Sequence, residues 1–580
     1  MPKSLVNQAK SSPLETGSAL NLKAQLQQKK IKRENRQKFF KNLIPALVVG
    51  LIIAFPLAAF KSVLLAAIAA LAIPVIWLSY CYPLTALWLF LIYMPFSGTV
   101  TYWIGNGNAL FQLSKDALYL PALGGLMQRC WQKKQPIWVV PALMPTFLIL
   151  IGFSLLTLIL INGQQQWLIP DCDLGNPSGQ ALHNANGDYL IDTQGDLITG
   201  ACKSGIPIIQ GLLGLKVLIG YVPLIFCAYY LIEDRQKLNR LGRLLILITL
   251  VTCSLGIAQY WLLKTGHCVG TRGMSGVELY QASLEAKCLV GGSLLYSPEQ
   301  GQIRLPGTFV SPWHWAWFLV GNAAISFIVT FCEQSRFWRL MGLLGMALVF
   351  INAVICGQRL ALALVPTLIF VFLILTGQFA NFKRFLPLII VLPLVLFIGF
   401  SFFNPSFIQE RINSFVDRWN QAPPYVFIQQ QFSFTLAKSK GILGQGLGTA
   451  TNSTRTFGPV FFLETYHPKL LFELGFGGLF LFMIFITHLT ILTFKSYRSL
   501  KDKNLRSWGS SFWVFILIIG YFPYWYPLDT DPVAVYYWFF AGIIFKLPDL
   551  EKMQIENSDV KIFTPRKKLI RSRQEKSLST

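Results

Sequence analysis

Arg359 stands between two apolar runs, with Ile355 and Cys356 before it and Leu360, Ala361 and Leu362 after it. A guanidinium at the edge of hydrocarbon is expensive to place, and ionisable groups there mark functional sites by default. Its planar fork suits two-point capture of phosphate, most of all where water is scarce. The competing reading is a snorkelling anchor with its head in the interface. Arg304, Arg411, Arg418 and Arg455 add positive charge in the polar segments on either side. His467 stands where a polar run meets an apolar one. An imidazole titrates near operating pH, so proton transfer is the chemistry it offers, with a structural histidine as the alternative. Gly444-Gln445-Gly446-Leu447-Gly448 forms a turn loosely like those that cradle phosphate, without the strand–loop–helix setting that makes such turns specific.

The elements that must carry these residues are membrane helices. The 580-residue chain is 53% hydrophobic and 13% charged, with a formal charge of +24. A soluble domain carries roughly a quarter charged residues, so the soluble classes are excluded. Apolar runs of about 20 residues, the length that crosses hydrocarbon as a helix, recur along the chain. They lie near 42–60, 62–80, 83–98, 113–128, 138–161, 207–232, 243–262, 313–332, 338–356, 360–376, 385–402, 470–494, 508–526 and 533–547. The expected fold is an all-α polytopic membrane protein of about 12–14 transmembrane helices. A large outward loop is expected before the antepenultimate helix.

Residues 1–41 and 548–580 are polar and basic and flank a transmembrane domain over 42–547. Both tails read as cytoplasmic by the positive-inside bias. The first reads as an orientation signal beside anionic lipid, not as a nucleic-acid arm or a cleavable signal peptide. In that orientation most of the 50 Lys and Arg fall in the tails and the inward connections, and the long outward loops are 162–206, 263–312 and 403–469. Cys172, Cys202, Cys268 and Cys288 lie in the first two of these loops, in a compartment where disulfides persist. Pairing within each loop, Cys172–Cys202 and Cys268–Cys288, is preferred among the connectivities the set allows. A zinc site lacks the closely spaced Cys or His pairs it needs. Asp171, Asp173, Asp529 and Asp531 read as solvated loop carboxylates, not as metal ligands.

Four elements follow one another over residues 300–495: Gly307-Thr308-Phe309 with Pro312 before a span, Gln358-Arg359-Leu360-Ala361-Leu362, the glycine turn 441–448, and His467 followed by Glu473-Leu474-Gly475-Phe476-Gly477-Gly478. In this order the series resembles the O-antigen ligase and O-antigen polymerase superfamily of bacterial envelope glycosyltransferases. Pro468 stands where that family has an asparagine, and the interval from His467 to Glu473 is about one helical turn shorter. The resemblance implies a metal-independent enzyme of the bacterial inner membrane that needs no cofactor. It would transfer or polymerise glycan from a polyprenyl-diphosphate-linked donor, such as an undecaprenyl diphosphate, at the periplasmic face, in O-antigen, capsular or exopolysaccharide synthesis. Arg359, with Arg411, Arg418 and Arg304, would hold the diphosphate, and His467 would position or deprotonate the acceptor hydroxyl. Glu473, Gly475 and Gly478 would support that helix. The implied partners are the lipid-linked donor, a glycan or lipid-anchored acceptor and membrane lipids, with no nucleic acid.

The rival from another class is a non-enzymatic polysaccharide transporter or lipid-linked glycan flippase. It would line a path through the bundle with polar groups near the midplane. Lys216 is the clearest mid-span charge, while most of the others gather at the outer face.

Overall fold

The structure is a computed structural model that describes residues 13–60, 63–107, 114–169, 205–275, 284–297, 302–377, 423–439 and 441–563, with isolated residues and pairs between these stretches. Almost all of the regular structure is helical, so the fold is that of an all-α polytopic membrane protein. The chain divides into two compact units.

The first unit comprises residues 1–90 and 113–133. Helices α1 (Pro13–Phe60) and α2 (Val63–Cys81) pack along each other, α3 (Pro83–Tyr93) begins here, and α4 (Ser114–Gln132) lies on α2. Small residues set these contacts, because without a hydrophobic drive between helices in lipid, close backbone approach is what holds them. Gly125 of α4 presses on Tyr80, where an added Cβ would come within 2.1 Å of the carbonyl oxygen. The Arg129 guanidinium donates to the Cys81 carbonyl at 2.5 Å. It thereby caps the end of α2, where carbonyls lack helical partners.

The second unit comprises residues 91–112 and 134–580. Its helices are α5 (Met144–Thr157), α6 (Pro207–Ile219), α7 (Leu224–Leu231), α8 (Arg235–Lys264), α9 (Pro312–Cys332), α10 (Arg336–Ile355), α11 (Arg359–Leu375), α12 (Pro424–Lys438), α13 (Tyr466–Arg498), α14 (Lys503–Tyr521) and α15 (Val533–Phe563). Two short antiparallel pairs, β1 (Gln180–Ala181) with β2 (Thr199–Gly200) and β3 (Leu295–Ser297) with β4 (Gln302–Arg304), lie in the connections. Helix α9 is the axis: 94% of its apolar window is buried, and α8, α10, α11, α14 and α15 surround it. Gly321, Ala323, Ala324 and Ser326 let neighbours approach, and Tyr536 of α15 packs directly on Gly321. Buried Asn322 is satisfied: its Oδ1 accepts from the Thr249 hydroxyl at 2.6 Å and its Nδ2 donates to the Phe318 carbonyl at 2.8 Å. The buried hydroxyl–amide bond from Thr249 to Asn322 fixes the rotation of α9 against α8.

Among the described residues, eight helices are long and apolar enough to cross a membrane, or nine if the bent pair α6 and α7 counts as one span. Two shorter apolar helices, Ala66–Cys81 and Arg359–Leu375, stand beside them. This is fewer than the expected 12–14. The span expected at 385–402 lies outside the described residues. The one expected at 508–526 corresponds to α14, which carries Lys503, Arg506 and several serines.

One end of the second unit is sealed by charge. Arg243 makes two bonds to Glu333, at 3.0 and 2.9 Å, and Arg235 meets Asp502 at 3.1 Å. The Lys501 and Asp502 amides donate to Glu551 at 2.8 and 2.5 Å. Burial favours the neutral form of Glu333, but the Arg243 guanidinium outweighs it and holds the carboxyl below its ordinary range.

The other end carries the β3–β4 hairpin and the disulfide Cys268–Cys288, as preferred from the sequence. Cys172 and Cys202 lie outside the described residues. Cys288 belongs to a buried cluster with Leu294, Ile303, Leu305 and Ile355, so the bridge ties the connection after α8 to the cluster that packs the hairpin on the end of α10. Replacing both cysteines by serine is expected to lower stability by about 2–4 kcal/mol, read as a lower midpoint of thermal unfolding in detergent. An unchanged midpoint would show that the cluster holds the hairpin by itself.

Candidate functional site

Two arginines far apart in sequence are brought to one place. Strand β4 ends at Arg304, and the next amide, Leu305, donates to the Cys356 carbonyl at 3.0 Å. Gly357 has a left-handed φ of 72° and faces Arg304, whose Cα and Cγ are 3.4 Å from where its Cβ would be. A glycine is therefore required for the turn that separates α10 from α11. That turn, packed on Arg304, delivers Arg359 as the first residue of α11, half-buried as Arg304 is. Gln358, 5% exposed, completes the group, and its amide Nε2 has no hydrogen-bond partner among the described residues. A buried donor without an acceptor is costly. Here it belongs to the residue that precedes Arg359, at the start of a helix whose dipole favours negative charge.

The Gly307-Thr308-Phe309 element is a clasp. Gly307, φ 56°, lies on the Trp315 ring, and Gln259 holds it by accepting from its amide and donating to its carbonyl. The Thr308 hydroxyl donates to the Pro95 carbonyl at 2.5 Å, and the Gly292 amide donates to Phe309 at 2.9 Å. These bonds place the first turn of α9, where the Ser311 hydroxyl and His314 Nδ1 are in hydrogen-bond contact.

The glycine turn 441–448 is spent on the protein itself. The Gln445 and Gly446 amides donate to the Phe472 and Glu473 carbonyls at 2.8 and 3.1 Å, and the Leu447 amide donates to Asn162 at 2.9 Å. Gly448 lies on the Gln210 carbonyl of α6. The loose likeness to a phosphate cradle therefore does not hold, because those amides have carbonyl and side-chain partners. What the turn does instead is break α13. Gly475 has φ 67° and ψ −171° inside that helix, and its Cβ position is 2.2 Å from the Ile442 carbonyl oxygen. Glu473 locks the junction by accepting from the Ala450 amide and the Thr451 hydroxyl, each at 2.8 Å.

The break isolates a short helical segment, Tyr466 to Leu474, that carries His467. The sequence placed this helix from Leu470, but it opens at Tyr466 with Pro468 in its first turn, where the missing amide costs nothing. His467 is 9% exposed, and its Nε2 has no hydrogen-bond partner among the described residues. The hydroxyl of Thr465, fully buried, is likewise without a partner among them. Two residues on, Lys469 is 2% exposed and makes an ion pair with Asp529. Asp529 is thus not the solvated loop carboxylate expected from the sequence. A lysine buried in an apolar segment needs a counter-charge, and the loop 522–532 supplies it. The same loop is paired to the His467 segment through Tyr466 N to Pro523 O at 2.6 Å and Trp525 N to Glu464 O at 2.9 Å. The Trp317 indole of α9 donates to the Trp525 carbonyl at 3.3 Å.

A continuous chain of contacts therefore runs from the clasp 307–309 through α9 to the loop 522–532 and His467. The turn that delivers Arg359 packs on Arg304, and His467, Lys469 and Glu473 share one segment, with Gly475 at the break that ends it and Gly478 beyond. Arg455 is exposed, with Tyr102 within its electrostatic reach. Arg411 and Arg418 lie outside the described residues. Sequence reasoning missed the Lys469–Asp529 pair, although a lysine at the start of a 25-residue apolar run (470–494) was signal enough to look for an acid. No protein-family model matches the chain, and no curated protein matches it.

Proposed function

We propose that the chain is a membrane glycosyltransferase that takes a glycan from a polyprenyl-diphosphate-linked donor, at the end of the bundle that carries the β3–β4 hairpin. The observation that carries this reading is the junction of the Arg304 and Arg359 turns, with the orphaned Gln358 amide beside them. Two guanidinium groups and a buried donor at a helix start form a receptor for a diphosphate at the hydrocarbon edge. In the reaction the acceptor hydroxyl oxygen attacks the anomeric carbon, and its bond to the diphosphate oxygen breaks. The electron pair leaves with the lipid diphosphate, whose growing charge the arginines stabilise. The hydroxyl proton passes to His467 Nε2. That end then faces the periplasm of a bacterial inner membrane, with both termini in the cytoplasm.

Binding of polyprenyl diphosphate to the purified protein tests the receptor. Arg359→Ala and Arg304→Ala are each expected to weaken it by about tenfold or more, since a hydrogen bond to a charged group contributes about 1.5–3 kcal/mol. Arg359→Lys is expected to recover only part of that, because a point charge cannot bind two oxygens at once. Equal affinity in all four proteins would remove the receptor.

A second reading has its own observation. Helices α6 and α7 form a span bent by 41°, and Lys216 lies just before the bend. Broken spans line transport paths. Movement of a lipid-linked glycan across a vesicle membrane, abolished by Lys216→Ala and untouched by Arg359→Ala, would favour a transporter.

A further inference from the structure

The loop 522–532, paired to residues 464–466 just before His467, presents three consecutive aromatic residues, Tyr524, Trp525 and Tyr526, each partly exposed. Two of them hold left-handed backbones, Trp525 at φ 60° and Tyr526 at φ 28°. Bulky side chains avoid that region, and glycine would occupy it at no cost. The surroundings enforce it: Trp525 N donates to Glu464 O at 2.9 Å, Trp317 holds the Trp525 carbonyl, and the Thr530 hydroxyl holds the Tyr526 carbonyl at 3.0 Å. Strain that the rest of the structure over-determines gathers at ligand sites. Burial first, and the Glu464 carboxylate second, push the Tyr526 phenol above its ordinary value, so it stays a hydrogen-bond donor. The backbone of this turn helps to hold the His467 segment, but donor binding and proton transfer as described leave its aromatic side chains without a task.

We propose that Trp525 and Tyr526 form the stacking platform for the acceptor sugar. A pyranose ring has an apolar face of slightly positive C–H groups, which matches the negative face of an indole or phenol ring. Laid there, its rim of hydroxyls meets the Glu464 carboxylate, which the same backbone pairing sets opposite Trp525 and within electrostatic reach of the Tyr526 phenol, at the foot of the segment that carries His467. This inference rests on the glycosyltransferase reading and adds to it the class of group that the acceptor side recognises.

The left-handed backbone supplies a clean test, because Trp525→Gly removes the ring while relieving the conformation. Full-length protein in nanodiscs is probed by saturation-transfer NMR with the methyl glycosides of glucose, galactose and N-acetylglucosamine. The wild-type protein and Trp525→Phe are expected to transfer saturation to the ring protons of at least one glycoside. Trp525→Gly is expected to lose most of that signal while keeping its thermal midpoint. In the transfer assay it is expected to raise the acceptor KM about tenfold with kcat nearly unchanged. No saturation in the wild-type protein, or equal saturation in wild type and Trp525→Gly, overturns the platform. So does a lower midpoint for Trp525→Gly with an unchanged sugar signal, which would make the turn a structural plug. Sugar binding without transfer from any donor would instead leave the platform standing and remove the glycosyltransferase reading.

Discussion

His467→Ala protein that inserts and folds normally is expected to lose about 10²–10⁴-fold in transfer rate, the usual contribution of a positioned general acid or base. The residue is 9% exposed, in the first turn of a segment pinned on three sides: by the glycine turn at Gly475, by the loop 522–532 at Tyr466, and by the Lys469–Asp529 pair. A side chain held so firmly, with Nε2 unpartnered among the described residues, is placed for a partner that arrives with the substrate. His467→Gln separates placement from proton transfer, since it fills similar space and donates a hydrogen bond but takes no proton. It is expected to bind acceptor nearly as well as wild type and to react as slowly as His467→Ala. Single-turnover rates with bound donor make the comparison. A loss of less than about threefold in both variants would assign His467 to packing alone, since a group that moves the proton contributes far more.

The largest effect on stability is expected at Lys469. Truncating it to alanine leaves Asp529 buried without its counter-charge, which costs about 3–5 kcal/mol. Removing both charges with side chains of similar shape, Lys469→Met with Asp529→Leu, is expected to restore most of that loss. The desolvation cost then disappears together with the attraction. A double-mutant cycle on thermal or denaturant unfolding gives the coupling. Additive losses would mean that the two charges act independently and that the ion pair does not hold the loop 522–532 against α13. If the pair does hold it, Lys469→Ala also lowers transfer, and the double replacement recovers stability more fully than activity.

Much of this was legible in the residues. The apolar runs fixed the helical class, because only helices and closed barrels satisfy their backbone groups in lipid. Arg359 stood out because a charge between apolar runs is costly, and Cys268–Cys288 because both lie in one polar connection. What stayed hidden depends on contacts between distant segments. Nothing in Gly444 or Gly475 says that one turn will press on the other and break α13, since a glycine reads equally as a turn, a hinge or a close approach. Asp529 reads as a loop acid until the fold puts Lys469 beside it. The aromatic run 524–526 falls at the end of the span expected over 508–526, and only its left-handed backbone sets it apart. Helix α14 shows the converse: its serines and basic residues weaken its signal as a span, yet one face is packed against α9 and α15.

Transfer by purified protein in detergent, with a polyprenyl-diphosphate-linked glycan as donor and chelator present throughout, decides whether the chain makes a glycosidic bond. A longer or transferred glycan with release of the lipid diphosphate is expected, and loss of that product in Arg359→Ala protein present at the same folded level. Full transfer by Arg359→Ala, or donor that moves across a vesicle membrane without any new glycosidic bond, would contradict that expectation.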